Sequence, residues 1–262
     1  MTDLITAGVL GVVEGLTEFL PVSSTGHLIL VGETLKFTQG NAATFDIAIQ
    51  LGAILAVVAA FPGYFISLLN PKSWLSPKGK ALILACLPVM AVGFLTHHWI
   101  KTHLFNPLTV ALALIVGAIA MIVVQKRPQP SVTTQDIEAI TPKQALWIGI
   151  SQCFSLWPGM SRSASTIMGG LLAGLSYELA AQFSFLIAVP VMVAAVTFDL
   201  IKSASVITSY DLQLIGVGFG VAFGVAWASI YAMLMILKKY KLVPFAIYRI
   251  VLGAILFYAL LR

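Results

Sequence analysis

Residues 102–125 have the sequence THLFNPLTVALALIVGAIAMIVVQ, and none of these 24 side chains is Asp, Glu, Lys or Arg. An α-helix needs about 20 mainly apolar residues to cross the hydrocarbon core of a bilayer, which is roughly 30 Å thick. The stretch therefore predicts a membrane-spanning helix, and the rest of the chain has to be interpreted with lipid as its solvent.

The composition of the whole chain agrees with this prediction. Of 262 residues, 59% are hydrophobic and 10% are charged, whereas a soluble domain carries about 25% charged residues. So few charges exclude a soluble globular enzyme, a disordered chain and a nucleic-acid-binding protein with a basic face. We expect an all-α integral membrane protein that forms a single membrane domain over residues 1–262.

Six segments are long and apolar enough to span a membrane, and one of them contains a single charged residue, Arg249. We therefore predict six transmembrane helices. Their expected bounds are 47–71, 81–100, 102–125, 179–198, 212–237 and 242–261.

Two further apolar segments are interrupted before they could span. Residues 4–13 end at the first of two glutamates, and residues 144–157 end at Pro158-Gly159. Each is followed by small hydroxyl residues and a second short apolar run, which predicts a re-entrant helical hairpin. Non-helical backbone at membrane depth is tolerated only within protein or beside water, so both breaks are expected to line a polar cavity.

The two halves of the chain, about residues 1–130 and 137–262, resemble each other. A shift of 137 positions superposes Pro21 on Pro158, Ser24 on Ser161 and Pro107 on Pro244, and a shift of 138 superposes Phe45 on Phe183. Each half then contains one hairpin and three spanning helices. Because three is odd, the second half enters the membrane in the opposite orientation, which is an inverted-topology repeat.

Loop charges predict the orientation. Nine basic residues fall on one side of the membrane and four on the other, so the side with nine should be cytoplasmic and both termini should lie outside. The nine are Lys72, Lys78, Lys80, Lys126, Arg127, Lys143, Lys238, Lys239 and Lys241, and the four are Lys36, Lys101, Lys202 and Arg262.

The first break contains two carboxylates and a hydroxyl-rich helix start. Glu14 and Glu18 are spaced i, i+4, so like charges share one helical face, and they should hold a proton or a divalent cation such as Mg²⁺ or Ca²⁺. Alternatively, the hairpin lies shallow and both glutamates face water. After Pro21, the residues Ser23, Ser24 and Thr25 present hydroxyls and free backbone N–H groups, an arrangement typical of anion sites.

His27 follows Ser24 by three residues and lies on the same helical face. A Ser beside a His is a nucleophile–base pair if the distance allows it. His27 could instead be the nucleophile itself, or the acid that protonates a leaving oxygen. Helix capping by the hydroxyls is the structural alternative.

The second break, Trp157–Thr166, adds an arginine to another hydroxyl-rich helix start. Arg162 lies between Ser161 and Ser163, and its planar fork matches a phosphate bidentately. The rival interpretation pairs Arg162 with Glu14 or Glu18 in a salt bridge. The two roles could alternate, with the carboxylate holding the arginine when substrate is absent.

Two other features have no assigned role. Arg249, beside Tyr248, is a charged residue within a predicted span. Two alternatives are open for its side chain: it snorkels to the membrane surface, or it forms a buried pair. Small residues on the 212–237 segment give faces suited to helix packing, which is compatible with a homodimer. They are Gly216, Gly218, Gly220, Ala222, Gly224 and Ala226.

The sequences EGLTEFLPVSSTGH (14–27) and PGMSRSAST (158–166) resemble the two signature motifs of the bacterial undecaprenyl-diphosphatase family of the bacitracin-resistance type. FDIAIQLGAILAVV (45–58) and VPFAIYRI (243–250) are also similar to that family. The resemblance extends over essentially the whole chain.

The resemblance implies a multi-pass enzyme of the bacterial plasma membrane, open to the outer face, that hydrolyses undecaprenyl pyrophosphate to the monophosphate and phosphate. This reaction recycles the lipid carrier of cell-wall synthesis, and the family is described as using a divalent cation. The resemblance places Glu14, Glu18, Ser24, Thr25, His27, Ser161 and Arg162 in the active site. It implies Ser24 or His27 as nucleophile, Glu18 as base or cation ligand, and Arg162 as the pyrophosphate-binding residue.

The residues themselves favour the same function. A lipid pyrophosphate has an anionic head, which suits two helix N-termini and an arginine, and an apolar tail, which suits gaps between membrane helices. The main rival is a lipid transporter or flippase, because inverted repeats with broken helices are typical of transporters. A structural membrane scaffold is a third hypothesis.

Overall fold

The computed structural model describes residues 3–37, 42–128, 134–203 and 207–260, and these are all-helical apart from turns and one isolated bridge between Thr134 and Leu175. The α-helices of the described residues are α1 (Asp3–Thr17), α2 (Ser24–Thr34), α3 (Ala42–Ala60), α4 (Pro62–Leu68), α5 (Pro77–His103), α6 (Pro107–Lys126), α7 (Pro142–Gln152), α8 (Arg162–Leu172), α9 (Tyr177–Ser203), α10 (Ser209–Tyr240) and α11 (Val243–Leu260). Short 3-10 helices cover Pro71–Leu75, Ile137–Ala139 and Cys153–Leu156.

Helix starts follow the local sequence. The Asn106 side chain accepts a hydrogen bond from the backbone N–H of Thr109, and Pro107 occupies the first turn of α6. Thr141 and Gln144 form a reciprocal capping box at the start of α7. A side-chain acceptor satisfies an N–H group that the helix leaves unpaired, and proline needs no donor there, so both sequences fix where their helices begin.

Four helices of the described residues are long and apolar enough to cross a membrane: α5, α6, α9 over Tyr177–Asp199, and α10. They correspond to four of the six predicted spans. Large apolar side chains on their outer faces are exposed, such as Leu95 at 81% and Met235 at 68%. The chain is therefore an all-α membrane protein whose outer surface suits lipid.

The segment predicted as a single span at 47–71 is bent: α3 and α4 together are long and apolar enough to cross a membrane, as one broken span or as a re-entrant segment. The helix ends at Ala60, and α4 leaves α3 at an angle of 92°. Pro62 cannot donate the backbone hydrogen bond that would continue α3, and proline disfavours helical backbone at Phe61 before it. The uncharged stretch thus forms two helices with a sharp bend.

The predicted span at 242–261 corresponds to α11. Its apolar part, Val243–Tyr258, is shorter than the four long helices. Residue 261 and the loop charge Arg262 lie outside the described residues, as does the side chain of Lys202.

The two interrupted segments form helix–break–helix units, α1 with α2 and α7 with α8, and the helices of each unit pack on one another. Helix α1 also packs closely on α10. A Cβ added at Gly11 would lie only 2.5 Å from the Gly218 carbonyl oxygen, so the contact needs a glycine there. In the second unit every residue from Ser163 to Leu171 is buried. Both breaks are therefore held inside the helical assembly.

The two breaks end in the same unusual backbone conformation. Ser23 is the N-cap of α2 with φ 71°, and Ser161 is the N-cap of α8 with φ 72°. The two caps are 138 positions apart, so the cap geometry matches Ser23 with Ser161, and Ser24 with Arg162. The predicted superposition of Ser24 on Ser161 is thus one residue out of register.

Candidate active site

The first break places Ser23 and Ser24 at the start of α2. Its backbone turns through a short hydrogen bond from the Val22 N–H to the Leu20 carbonyl oxygen, 2.7 Å long. The Ser23 side chain then accepts a hydrogen bond from the Gly26 N–H at 3.4 Å. A positive φ at a non-glycine residue costs about 1–3 kcal/mol and persists only where the surroundings enforce it.

The second break is built in the same way. The Met160 N–H donates to the Trp157 carbonyl oxygen at 3.0 Å, and Gly159 has φ 96°. The Ser161 side chain accepts from the Ala164 N–H at 3.2 Å. Each break thus directs the positive end of a short helix, with its unpaired N–H groups, towards the middle of the assembly.

The Glu18 carboxylate joins the first residues of the two short helices. The Ser24 hydroxyl donates to Oε2 of Glu18 at 2.6 Å, and Nη2 of Arg162 donates to Oε1 at 2.9 Å. Glu18 and Arg162 are both almost fully buried, with 5% and 9% of their side chains exposed. The two breaks therefore meet at Glu18, and the arrangement is the salt bridge that the sequence left as an alternative for Arg162.

Arg162 is held from a second direction by α9. Nη1 of Arg162 donates to the Ser184 carbonyl oxygen at 3.0 Å and to the Ser184 hydroxyl at 3.3 Å. The Thr166 hydroxyl donates to the same Ser184 hydroxyl at 2.7 Å. Nε of Arg162 is buried and makes no hydrogen bond within the described residues. The guanidinium is thus oriented but keeps an unused donor.

The predicted phosphate-binding hydroxyls lie around this centre. Oγ of Ser163 donates to the Leu20 carbonyl oxygen at 2.9 Å, which adds a second link between the breaks, and it lies 3.1 Å from Oγ of Ser161. Thr25 is partly buried at the second position of α2.

Glu14 is fully enclosed, and neither of its carboxyl oxygens accepts a hydrogen bond from a described residue. Glu18 and Asp46 both repel its negative charge, whereas Arg162 attracts it. Among the described residues, no group of three or more His, Cys, Asp or Glu side chains could hold a metal ion. Two carboxylates alone could supply at most part of the coordination shell of a cation such as Mg²⁺ or Ca²⁺.

His27 points away from Ser24. Its Nδ1 lies 2.8 Å from the Ser23 carbonyl oxygen, and its Nε2 lies 2.6 Å from the Tyr248 hydroxyl of α11. Since a carbonyl oxygen only accepts, Nδ1 carries a proton, and in the neutral form of the ring Nε2 accepts from the Tyr248 hydroxyl. The Ser24 hydroxyl therefore has a carboxylate partner instead of the histidine that the i, i+3 spacing suggested.

Sequence reasoning missed the contributions of α9 and α11. Ser184 lies in an apolar stretch without any motif, and nothing in its sequence context indicates that it would orient Arg162. Tyr248 lies beside Arg249 in VPFAIYRI (243–250), a stretch that resembles the family but that indicates no role for either residue. Arg249 is a further signal, because charged residues inside a span are expensive in a membrane and mark functional regions.

Comparison with known proteins adds relatives of the whole chain. An undecaprenyl-diphosphatase of Maridesulfovibrio salexigens is 51% identical, with 98% of this chain and 99% of the relative aligned. An undecaprenyl-diphosphatase of Nitratidesulfovibrio vulgaris is 49% identical, with 98% of each chain aligned. Undecaprenyl-diphosphatase 1 of Bacillus anthracis is 48% identical over the same shares.

The model of one protein family matches almost the full length. The family is described as "Bacitracin resistance protein BacA", and the match covers residues 7–255, which include both breaks and most of α11. With this match and relatives near 50% identity over full length, the chain belongs to the bacitracin resistance protein BacA family.

Proposed function

We propose that the protein hydrolyses undecaprenyl pyrophosphate to undecaprenyl phosphate and inorganic phosphate, and so recycles the lipid carrier for cell-wall synthesis. The relatives named undecaprenyl-diphosphatase support this substrate. The observation that carries the proposal is the Glu18 carboxylate, which holds the Ser24 hydroxyl on one oxygen and the Arg162 guanidinium on the other. These are a base, a nucleophile and a phosphate-binding cation within hydrogen-bonding distance.

Ser24 is the nucleophile in this proposal. Its Oγ forms a bond to the terminal phosphorus, the bond from that phosphorus to the bridging oxygen breaks, and undecaprenyl phosphate leaves. Glu18 accepts the Ser24 proton and passes it to the departing oxygen. Water then attacks the phosphoserine, Glu18 carries a proton from the water back to Oγ of Ser24, and inorganic phosphate is released.

Arg162 exchanges partners during this cycle. Without substrate, its Nη2 lies on Glu18, while Nε has no partner within the described residues. A pyrophosphate offers more negative charge than one carboxylate and accepts the planar fork bidentately. The N-termini of α2 and α8, together with Ser23, Thr25, Ser161 and Ser163, supply further donors to the phosphate oxygens.

His27 remains the alternative nucleophile. Ser24 is favoured because its hydroxyl already donates to a carboxylate, whereas Nδ1 of His27 donates to a backbone carbonyl and Nε2 pairs with Tyr248. In the proposal His27 stabilises the start of α2 and reaches the site through Ser23.

Glu14 and Glu18 would hold a divalent cation, Mg²⁺ or Ca²⁺, beside the diphosphate. The unpartnered oxygens of Glu14 support this assignment. A bound cation would neutralise negative charge that develops on phosphate oxygens in the transition state.

We further propose the membrane arrangement. The two helix–break–helix units are re-entrant hairpins from opposite faces, the halves form an inverted-topology repeat, and the protein lies in the bacterial plasma membrane. Both termini are outside, the active site opens to the periplasmic face, and the prenyl chain lies between membrane helices. The matching caps at Ser23 and Ser161 support the repeat, and the loop charges support the orientation.

A phosphate-release assay on the purified protein tests the function. Wild type should release phosphate from undecaprenyl pyrophosphate, and Ser24→Ala and Arg162→Ala should lose most of this activity. His27→Ala reports on the alternative nucleophile, because a loss greater than that of Ser24→Ala would favour His27. Undiminished hydrolysis in all three variants would refute the site. A flippase without hydrolysis predicts no phosphate release by wild type.

A further inference from the structure

Arg249 has the largest fully buried side chain of the described residues. Its exposed fraction is 0%, and no described carboxylate forms an ion pair with it. A buried charge without a counter-charge is costly unless its hydrogen bonds are satisfied. The burial of Arg249 therefore depends on which groups accept hydrogen bonds from its guanidinium.

The hydrogen bonds of Arg249 connect three separate segments. Nη1 donates to the carbonyl oxygens of Pro21 at 3.4 Å and Met160 at 2.9 Å, so one nitrogen bridges the first break and the second. Nη2 donates to the Gly159 carbonyl oxygen at 3.0 Å. The remaining acceptors are on α6, where Nε binds the Leu114 carbonyl at 3.2 Å and Nη2 the Ala113 carbonyl at 3.1 Å.

The guanidinium has five N–H donors, and five backbone carbonyl oxygens accept from it. Two of these carbonyls belong to residues directly before Ser161 in the chain, and one lies two residues before Ser23. Gly117 of α6 makes room for the fork, because a Cβ added there would overlap Nη2 of Arg249 and lie 2.9 Å from Sδ of Met160.

We propose that Arg249 is a positioning residue for the hydrolysis, which fixes the first break against the second and so sets the distance between Ser24 and Arg162. This inference rests on the proposed function. Arg249 binds carbonyl groups of residues that precede the two caps in the chain. Glu18 instead binds the residues that directly follow the caps, Ser24 and Arg162. Lysine keeps the charge but has no planar fork, so it cannot join three segments at once.

Two variants test the proposal. Arg249→Lys removes the fork, and Gly117→Ala keeps every Arg249 donor but fills the space that the fork occupies. Gly220→Ala is the matched control, because a Cβ at Gly220 of α10 has no atom within 4 Å. Since misplacing a reacting group by 1 Å can cost about 100-fold in rate, we expect kcat for phosphate release to fall about 100-fold in the first two variants and to stay unchanged in the control.

A double-variant comparison separates positioning from a general loss of folded protein. Arg249→Lys is introduced into wild type and into Arg162→Ala, and residual phosphate release is followed over hours. If Arg249 sets the position of Arg162, Arg249→Lys should lower phosphate release less than threefold in the Arg162→Ala background, because the group being positioned is already absent. Equal losses in both backgrounds would overturn the proposal.

A binding measurement gives the same comparison without turnover. Undecaprenyl methylenediphosphonate, which cannot be hydrolysed at its bridging carbon, should bind about tenfold more weakly to Gly117→Ala than to wild type, and equally to Arg162→Ala with or without Gly117→Ala. Equal binding to wild type and Gly117→Ala would contradict the proposal. Absence of phosphate release by wild type would instead refute the proposed function, so the two failures are distinguishable.

Discussion

Glu18→Gln is the substitution that tests the proposed chemistry with the least change in shape. Both Glu18 oxygens accept from a donor, Ser24 Oγ at 2.6 Å and Arg162 Nη2 at 2.9 Å. An amide has one oxygen, so one of these donors must face an NH₂ group. Arg162 cannot accept a hydrogen bond, whereas the Ser24 hydroxyl can rotate and do so. We therefore expect the amide oxygen to face Arg162 and the amide nitrogen to face Ser24.

The expected result follows from that orientation. Ser24 would accept a hydrogen bond and would have no base for its proton, and general-base catalysis contributes about 10²–10⁴-fold. The kcat for phosphate release should fall by that factor. Glu18→Gln removes the counter-charge of Arg162 but keeps one acceptor for it, so the fold should lose less stability than in Glu18→Ala. Glu18→Ala should destabilise the fold by about 3–5 kcal/mol, since it removes both the counter-charge and the acceptor from a buried guanidinium.

The assay is phosphate release from undecaprenyl pyrophosphate in detergent, with melting temperature measured on the same samples. Glu33→Gln is the control, because Glu33 is an exposed carboxylate on α2. The reasoning is refuted if Glu18→Gln retains more than about a tenth of the wild-type kcat while Glu33→Gln is unaffected.

Three further predictions concern the ligands and the orientation. Arg162→Lys should lower kcat more than about tenfold in the same assay, because lysine cannot bind phosphate bidentately; an unchanged kcat would contradict this role. Glu14→Gln should raise the divalent-cation concentration needed for half-maximal activity, and an unchanged titration would argue against a cation at Glu14. A cysteine introduced in the 72–80 loop should react with an impermeant maleimide only after permeabilisation of right-side-out vesicles; reaction in intact vesicles would reverse the orientation.

The sequence predicted those helices of the fold that depend only on the length of an apolar stretch. Long uncharged stretches identified α5, α6, α9 and α10, because apolar length alone decides whether a helix suits a membrane. The same criterion extended the third helix through Pro62, where the chain bends by 92°. A search for uncharged stretches takes no account of Pro62, although this proline lacks the N–H that would continue α3.

The candidate site was predictable in its parts and less so in its connections. Intramembrane carboxylates, hydroxyl-rich helix starts and a lone arginine indicate Glu18, Ser24 and Arg162 from the sequence alone. Helical spacing also suggested that Ser24 and His27 interact, but spacing gives a common face and not a rotamer. His27 instead reaches across to Tyr248, a partner 221 positions away in the chain, which local sequence cannot reveal.

The same limit applies to the residues that hold the site together. Ser184 orients Arg162 through its carbonyl and hydroxyl, and Arg249 binds carbonyl groups of both breaks. Backbone acceptors carry no sequence signal, since every residue has a carbonyl group. From the sequence, a buried arginine whose N–H groups bind backbone carbonyls therefore could not be distinguished from one that snorkels.

The most direct measurement is an experimental structure of the protein with undecaprenyl methylenediphosphonate bound. We predict that the terminal phosphorus lies opposite Oγ of Ser24 and that Arg162 has moved from Glu18 onto the phosphate oxygens, between the starts of α2 and α8. A diphosphate group bound elsewhere, with the Ser24–Glu18 and Arg162–Glu18 contacts intact, would contradict the conclusion that the two breaks form one catalytic site.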